Sequence, residues 1–249
     1  MLTTDLKTHL ALITGATGGI GLATSHALAA LGCSIAIHYH SNSRGASTLV
    51  DSLLSKGVRV LAFQADLSDY EQVRNLHKQV VATLGEPSIL FNNAGIANPS
   101  GVKNIDEVDI DVFENTWRTN CGSAFLLTKL CLPAMERRGW GRVVFCSSVA
   151  GFTGGVVGPH YASSKSAMHG LVHWLANTCA SKGITVNAVA PALIQGTVML
   201  PKGSEELAKR IPVGRLGTPD EIAETVVWMV KTGYVNNKVV AVDGGMYAY

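Results

Sequence analysis

Three polar residues, Ser148, Tyr161 and Lys165, form the most informative chemical pattern in the sequence. Tyr161 and Lys165 are four positions apart, so on a helix both side chains lie on one face. A free tyrosine titrates near pH ~10, and a neighbouring ammonium group is expected to lower that pKa toward a useful range. Ser148 follows a predicted strand and is placed to hold a carbonyl oxygen while Tyr161 donates a proton. We therefore expect a site of proton transfer to a carbonyl group.

A glycine-rich loop, Thr14-Gly15-Ala16-Thr17-Gly18-Gly19-Ile20-Gly21, follows the first predicted strand and opens the first predicted helix. Glycines there permit a tight turn, let the backbone approach a pyrophosphate and let the helix pack close to the sheet. The helix N-terminus offers free N–H groups and a partial positive charge to the phosphates. The loop predicts a dinucleotide site. Its expected contacts are Gly15, Thr17, Gly19, Ile20 and Gly21.

The end of the second predicted strand indicates which dinucleotide binds. NAD sites often place an acidic residue here to bind the ribose 2′-hydroxyl. This chain has no Asp or Glu between His38 and Asp51 and offers Ser41, Asn42 and Arg44 instead. Hydroxyl, amide and guanidinium groups favour a 2′-phosphate, which a carboxylate would repel. The prediction is NADP(H), with the alternative that Arg44 merely solvates a helix start.

The elements that must position these residues alternate along the chain. Short β-branched apolar runs predict strands buried on both faces. These are His9–Thr14, Ser34–Tyr39, Val58–Gln64, Ser88–Phe91, Arg142–Cys146, Thr185–Ala190 and Val239–Val242. Helical spacing fills the gaps at Ile20–Leu31, Gly45–Ser55, Tyr70–Leu84, Val112–Glu136, Tyr161–Ser181 and Pro219–Lys231. The alternation predicts one α/β domain over residues 1–249, a doubly wound seven-stranded parallel sheet with helices on both faces. Gln195–Val213 is the least patterned segment and is predicted to be a mobile loop beside the site.

Composition narrows the function classes. The 249 residues are 47% hydrophobic and 15% charged, with a net charge of +2 and no basic cluster, so neither nucleic acid nor a membrane is an expected partner. Five widely spaced cysteines without a CxxC pair are typical of buried thiols in a reducing compartment. No His/Cys/Asp set has metal-ligand spacing, so no metal is predicted. No run reaches transmembrane length and no secretory signal precedes the first strand. We expect a cytoplasmic protein, or one of the mitochondrial matrix if a presequence has been removed.

Taken together and in order, these motifs resemble the classical short-chain dehydrogenases/reductases over nearly the whole chain. The resemblance rests on the Gly15–Gly21 loop, Asp66 after the third strand, Asn92-Asn93-Ala94-Gly95 after the fourth, Asn120, Ser148, Tyr161 and Lys165. It implies that Asp66 and Leu67 lie against the adenine, and that Asn93, Ala94 and Gly95 shape the cofactor cleft. Asn120 would hold a water of a proton relay, and Lys165 would also bind the nicotinamide ribose.

Several residues have alternative interpretations. Asp66 could simply cap the helix beginning near Ser68, and Asn120 could hydrogen-bond locally within its helix. Ser147 rivals Ser148, although the family's serine-to-tyrosine spacing favours Ser148. His169 is more typical of packing or of the surface than of catalysis.

The chain also departs from the family pattern. Pro191-Ala192-Leu193-Ile194 stands where relatives have Pro-Gly, so we expect cofactor contacts from Pro191 and Ile194 and only a weak one from Thr197. Many NADP-preferring relatives carry a basic residue where this chain has Gly18, which places more weight on Arg44.

The resemblance implies NADPH-dependent reduction of a ketone, most like that of 3-oxoacyl-[acyl-carrier-protein] reductases. Alternatives are a carbonyl reductase or alcohol dehydrogenase acting on small or secondary-metabolite ketones and, from another class, a non-catalytic NADP-binding scaffold. Gly151–His160 and Leu193–Leu216 would select the substrate. An acidic acyl carrier protein could dock on Arg137, Arg138 and Lys182, unless these only solvate a helix end.

Relatives commonly form tetramers, so a homotetramer is expected. It would pair the helices predicted at Val112–Glu136 and Tyr161–Ser181. The apolar residues Phe125, Leu126, Leu130 and Trp174 suit such burial, and they suit a monomer core nearly as well.

Overall fold

Seven short strands form one parallel sheet in the computed structural model, which describes residues 2–200 and 205–248 of the chain. The sheet order is β3-β2-β1-β4-β5-β6-β7, and every neighbouring pair is parallel. The strands are β1 Leu10–Ile13, β2 Ser34–Tyr39, β3 Val60–Gln64, β4 Ile89–Asn92, β5 Gly141–Cys146, β6 Ile184–Pro191 and β7 Val239–Val242. The central strands are mostly apolar and are buried along their whole length because helices cover both faces.

Helices pack against both faces of the sheet. Val73 of α3, Leu127 of α5 and Val172 of α7 pack in one core, whereas Leu28 of α1 and Val226 of α8 pack with α2 in the other. The helices are α1 Gly19–Ala30, α2 Ser43–Leu54, α3 Tyr70–Thr83, α4 Ile110–Trp117, α5 Ser123–Arg138, α6 Ala150–Thr153, α7 Pro159–Cys179 and α8 Pro219–Lys231. The predicted α/β doubly wound architecture is confirmed. Within the described residues, no helix has both the length and the apolar run that crossing a membrane requires.

The strand order reverses at β1, whose neighbours are β2 on one side and β4 on the other. In open α/β sheets such a switch point leaves a crevice at the carboxyl ends of the strands. The glycine loop leaves β1 there, and the Asn93–Gly95 turn leaves β4 beside it. The topology thus brings the predicted cofactor residues to one edge of the sheet.

The prediction of one regular helix over Val112–Glu136 is wrong. A π-helical segment, Arg118–Gly122, separates α4 from α5, and the Ser123 N–H donates to the Arg118 carbonyl five residues earlier. π-segments widen a helix locally and are frequent at functional sites. This one carries Asn120. Periodicity alone does not distinguish it from continuous helix.

The loop predicted at Gln195–Val213 is only partly irregular. A bridge joins Thr197 to Leu200, and a 3₁₀ helix occupies Glu205–Arg210. Residues 201–204 of the segment lie outside the described residues.

Candidate active site

Tyr161 lies at the start of α7 with its side chain buried, 6% exposed. Its hydroxyl is hydrogen bonded to the Ser148 side chain, which follows β5. The Ser148 Oγ also accepts the Ala150 N–H at 3.1 Å and lies 3.4 Å from the Pro191 carbonyl. The ends of β5 and β6 therefore hold this hydroxyl beside Tyr161.

Lys165 lies one turn along α7 and is 2% exposed. Its Nζ donates to the Cys146 carbonyl at 2.7 Å and stands 5.6 Å from the centroid of the Tyr161 ring. The helical spacing placed both side chains together, as predicted. Burial lowers the pKa of Lys165.

The expected lowering of the Tyr161 pKa is not seen. Burial raises that pKa above its ordinary value, and the hydrogen bond from Ser148 opposes the shift without reversing it. The Lys165 ammonium is bonded to a carbonyl rather than to the phenol, so it does not offset the loss of solvation. At neutral pH the Tyr161 hydroxyl is therefore protonated, which is the state that a proton donor needs.

The choice between Ser147 and Ser148 follows from their partners. The Ser147 Oγ donates to the Lys165 carbonyl at 3.1 Å and lies 2.8 Å from His169 Nε2. It is 2% exposed and faces α7, whereas Ser148 faces the Tyr161 hydroxyl. Ser148 is therefore the serine that meets the Tyr161 hydroxyl, and its contact with a substrate oxygen stays a prediction.

Asn120 is almost fully buried and joins two distant segments. Its Oδ1 accepts the Ile96 N–H at 2.8 Å, and its Nδ2 donates to the Ile96 carbonyl and to Ser164 Oγ at 2.9 and 3.0 Å. The alternative of bonding within its own helix is wrong. Both amide hydrogens are in use, so a relay water would have to be held by the remaining Oδ1 lone pair or by the backbone.

The glycine loop is fastened to the end of β4. The Asn93 amide donates to the carbonyls of Thr14 and Gly15 at 2.8 and 3.2 Å, and Thr14 Oγ1 accepts the N–H groups of Asn93 and Ala94, both at 2.9 Å. Gly15 has φ +62°, and a Cβ at Gly21 would lie 2.5 Å from the Gly15 carbonyl oxygen. Glycine is therefore required at both positions for this turn to close.

His38 supports the same loop, and sequence reasoning missed it. Its Nδ1 accepts the Gly15 N–H at 3.1 Å, and its Nε2 donates to the Ala65 carbonyl at 3.1 Å. Burial lowers its pKa to about 4, so the ring is neutral at pH 7. The imidazole thus connects the ends of β1 and β3. An isolated histidine in a strand carries no local signal of such a role.

A groove of about 530 Å³ lies between α1 and α2, next to the glycine loop. Thr17, Asn42 and Arg44 line it, and no lining residue is acidic. The Asn42 Oδ1 caps α2 by accepting the Gly45 N–H at 2.9 Å, and its amide nitrogen is the group that can donate to a phosphate. Ser41 is exposed at the same turn.

Where the adenine is predicted to lie, Asp66 closes a turn by accepting the N–H and hydroxyl of Ser68 at 2.9 and 2.8 Å. The alternative that Asp66 caps the next helix is wrong, because Asp69 caps α3. Leu67 is buried behind this turn.

The comparisons with known proteins fit this geometry. Residues 9–208 match the family model described as short chain dehydrogenase. The chain belongs to the short-chain dehydrogenase family. Nodulation protein G of Azospirillum brasilense is 35% identical, covering 97% of this chain and 99% of that protein. The 3-oxoacyl-[acyl-carrier-protein] reductase of Pseudomonas aeruginosa is 35% identical, covering 98% of this chain and 99% of the reductase.

Among solved structures, a blue fluorescent protein from a metagenomic library, crystallised with NADPH, superposes with a TM-score of 0.89. It is 35% identical, and the match covers 96% of this chain and 98% of that chain. The chain is accordingly an oxidoreductase that uses a nicotinamide cofactor.

The cleft of this short-chain dehydrogenase fits such a cofactor. The N-terminus of α1 points at the glycine loop, where N–H groups suit a pyrophosphate. A Cβ at Gly95 would lie 3.1 Å from Lys165 Nζ and 3.3 Å from Asn120 Oδ1, so the absence of a side chain keeps the space beside Lys165 open.

Where the nicotinamide is predicted to lie, Pro191 ends β6 and its carbonyl accepts the Val149 N–H at 3.1 Å. Ile194 is buried, with its carbonyl accepting the Thr197 hydroxyl at 3.0 Å and a parallel bridge to Gly217. Thr197 therefore supports the Ile194 turn in this structure. Its hydroxyl hydrogen is used there, and its weak cofactor contact stays a prediction.

Proposed function

We propose that this protein reduces the ketone of a 3-oxoacyl thioester to a secondary alcohol with NADPH. The observation that carries the proposal is the buried Tyr161 hydroxyl hydrogen bonded to Ser148, with Lys165 Nζ 5.6 Å from the centroid of its ring. When bound, the reduced nicotinamide supplies the hydride that adds to the carbonyl carbon.

The chain's own residues supply the proton and the orientation. The Ser148 hydroxyl donates to the carbonyl oxygen and holds it beside Tyr161, whose O–H transfers its proton as negative charge develops on that oxygen. Lys165 holds a positive charge near the resulting phenolate and stabilises it. Asn120 holds the Ile96 backbone near Lys165. A water on that side of Lys165 can return the proton to Tyr161.

The preference for NADP rests on the groove between α1 and α2. Arg44 supplies a guanidinium, and the lining contains no carboxylate to repel a 2′-phosphate. Ser41 and the amide nitrogen of Asn42 are the further donors at this turn. The solved relative that carries NADPH supports the same choice.

An apolar rim favours an acyl substrate over a small polar ketone. We define the rim as Phe152 and Val156, which follow β5, and Val198 and Met199, which follow β6. These side chains are 38%, 77%, 94% and 48% exposed, respectively. Since β5 and β6 are neighbours, their carboxyl ends open at the same edge of the sheet. Covering a hydrocarbon chain with these exposed apolar groups would remove apolar surface from water and so stabilise the complex.

The second candidate is a carbonyl reductase for small or secondary-metabolite ketones. One observation favours it over a carrier-bound substrate. Two of the three basic residues predicted to bind a carrier protein already form ion pairs with carboxylates of this chain. Arg137 lies 3.7 Å from Glu86, and Lys182 lies 2.7 Å from Glu136. A carrier protein would have to compete with these carboxylates, so its docking stays a prediction.

Assembly as a homotetramer also stays a prediction. Leu126 belongs to the core and Leu130 packs against it, whereas Phe125 and Trp174 are 50% and 66% exposed on α5 and α7. Only the latter two are available for a helix-pairing interface. Light scattering at micromolar concentration checks this, and a monomer would contradict it. The cytoplasmic location is likewise a prediction.

The decisive experiment measures NADPH oxidation with matched panels of 3-oxoacyl thioesters and short ketones, each repeated with NADH. We expect turnover with NADPH and a kcat/KM that rises with acyl length. Preference for short ketones would select the second candidate. Binding of NADPH with no turnover on any substrate would select the scaffold.

A further inference from the structure

His169 connects the two catalytic segments, although its position eight residues after Tyr161 is more typical of packing or of the surface. Its Nε2 lies 2.8 Å from Ser147 Oγ, and that oxygen lies 3.1 Å from the carbonyl of Lys165. Ser147 directly precedes Ser148. One imidazole therefore links the turn that carries the substrate-facing serine to the helix that carries Tyr161 and Lys165.

The hydrogen count fixes the direction of these bonds. A serine hydroxyl has one hydrogen, and Ser147 gives it to the Lys165 carbonyl, which cannot donate. The bond to His169 must then run from Nε2–H to the Ser147 oxygen. Ser147 is 2% exposed, so without this donor its oxygen would lose a partner in a site that water does not readily reach.

The same ring supports one wall of the cleft. The His169 ring centroid lies 4.5 Å from that of Phe152 at an interplanar angle of 44°. A Cβ at Gly151 would come within 3.0 Å of the ring, so the imidazole fits closely against the backbone of α6. Phe152 belongs to the apolar rim. His169 thus contacts both Ser147, next to the substrate-facing serine, and Phe152 of the apolar rim.

We propose that His169 is a positioning residue with two separable effects. Its Nε2–H holds Ser147, and through it Ser148, in register with Tyr161 and Lys165. Its ring holds Phe152 at the rim and so contributes to substrate binding. This inference rests on the proposed reductase function, and it adds a residue that acts through its neighbours without touching the substrate.

Two substitutions separate the effects. His169→Phe keeps a ring against Phe152 and removes the donor to Ser147. His169→Gln keeps an N–H donor at a comparable reach and removes the ring. Ser147→Ala removes the other partner of the bond. His173→Gln is the matched control, because His173 is exposed one turn further along α7 and bonds Asn237 instead.

For His169→Phe we expect kcat to fall about tenfold or more with little change in KM, since small displacements of reacting groups are costly. For His169→Gln we expect kcat within about threefold of the wild type, because the donor is restored, and a higher KM for long acyl substrates. Combining His169→Phe with Ser147→Ala should cost less than the sum of the two single losses, because both remove the bond between His169 and Ser147, while Ser147→Ala also removes the bond to the Lys165 carbonyl. His173→Gln should match the wild type.

Other outcomes overturn the proposal. Equal losses in both His169 variants, or a lower melting temperature with unchanged kcat and KM, would show a role in packing alone. If the wild type reduces no ketone, the proposed function fails separately. Crystal structures of the wild type and His169→Phe would then decide the positioning role, which an unmoved Ser148 hydroxyl would refute.

Discussion

The proton-transfer centre and the apolar rim lie at the same edge of the sheet and are built in opposite ways. Tyr161, Lys165 and Asn120 are at most 6% exposed, and Lys165 and Asn120 hydrogen-bond to backbone of other segments. Val156 and Val198 of the rim are 77% and 94% exposed. A buried side chain that hydrogen-bonds to another segment cannot be substituted without disturbing its neighbours. An exposed apolar side chain can be.

This contrast explains why the reaction type is easier to predict from the sequence than the substrate. The proton-transfer centre uses polar residues whose spacing is imposed by helix geometry and by the strand ends. The rim uses side chains whose only requirement is an apolar surface of suitable shape. A reductase of this kind can therefore keep its chemistry while its substrate changes.

The largest expected effect comes from Tyr161→Phe, which keeps the ring and removes only the hydroxyl. The loss of the proton donor should reduce kcat by about 10²–10⁴-fold. NADPH binding, followed by titrating the fluorescence of the cofactor, should change little. A variant with near-wild-type kcat would refute the donor role.

The raised pKa of Tyr161 adds a pH dependence to the same test. Ketone reduction needs the protonated phenol, so its rate should hold across neutral pH and fall only in strongly alkaline solution. The reverse oxidation needs the phenolate and should rise with pH. A reduction rate that already declines near neutrality would contradict the protonated state.

Part of this centre was predictable because its signal is local. The four-residue spacing of Tyr161 and Lys165 and the position of Ser148 after a strand follow from helix and strand geometry. Asn120 was placed on a helix, yet its π-segment and its bonds to Ile96 and Ser164 depend on the folded chain. The sign of the Tyr161 pKa shift was mispredicted for the same reason, since spacing reveals the ammonium and conceals the burial.

The second effect in size concerns Arg44, which lines the groove rather than the centre. Arg44→Gln removes a charge-assisted contact to a 2′-phosphate, so kcat/KM for NADPH should fall about 10–100-fold while that for NADH stays similar. Lys78→Gln, exposed on α3 and outside the lining of the groove, is the matched control. An equal loss with both cofactors would show that Arg44 serves the fold instead.

The rim itself is tested by Val198→Asp combined with Val156→Asp. Charge on an apolar contact should lower kcat/KM for long acyl substrates about tenfold and leave short ketones almost unaffected. Tyr234→Asp is the control, since Tyr234 is 98% exposed and precedes β7, at the opposite end of the strands. A uniform loss across all substrates would place the rim residues in the general fold rather than in selection.

Histidines show where sequence reasoning stops. His38 and His169 each bond a residue more than twenty positions away, and only the packing of strands and helices brings those partners together. Neither has a spacing motif. Long-range bonds between single side chains and backbone are determined by topology, so the fold class was predictable while these supports were not.

The smallest effect concerns the far end of the segment that carries Val198 and Met199. Arg215 makes a double hydrogen bond to Glu221 at 2.9 and 2.6 Å, and Glu221 also accepts the Thr218 N–H at the start of α8. These donors lower the pKa of Glu221 from 4.5 to about 2. The stabilisation is therefore complete above about pH 4.5 and is lost as the pH falls toward 2.

Glu221→Gln should lower Tm by about 2–4 °C at pH 7, and the difference from the wild type should shrink on acidification. Glu224→Gln, exposed on the same helix, should shift Tm less at every pH. A Glu221→Gln difference that persisted at pH 2 would mean that the carboxylate charge does not anchor this segment to α8.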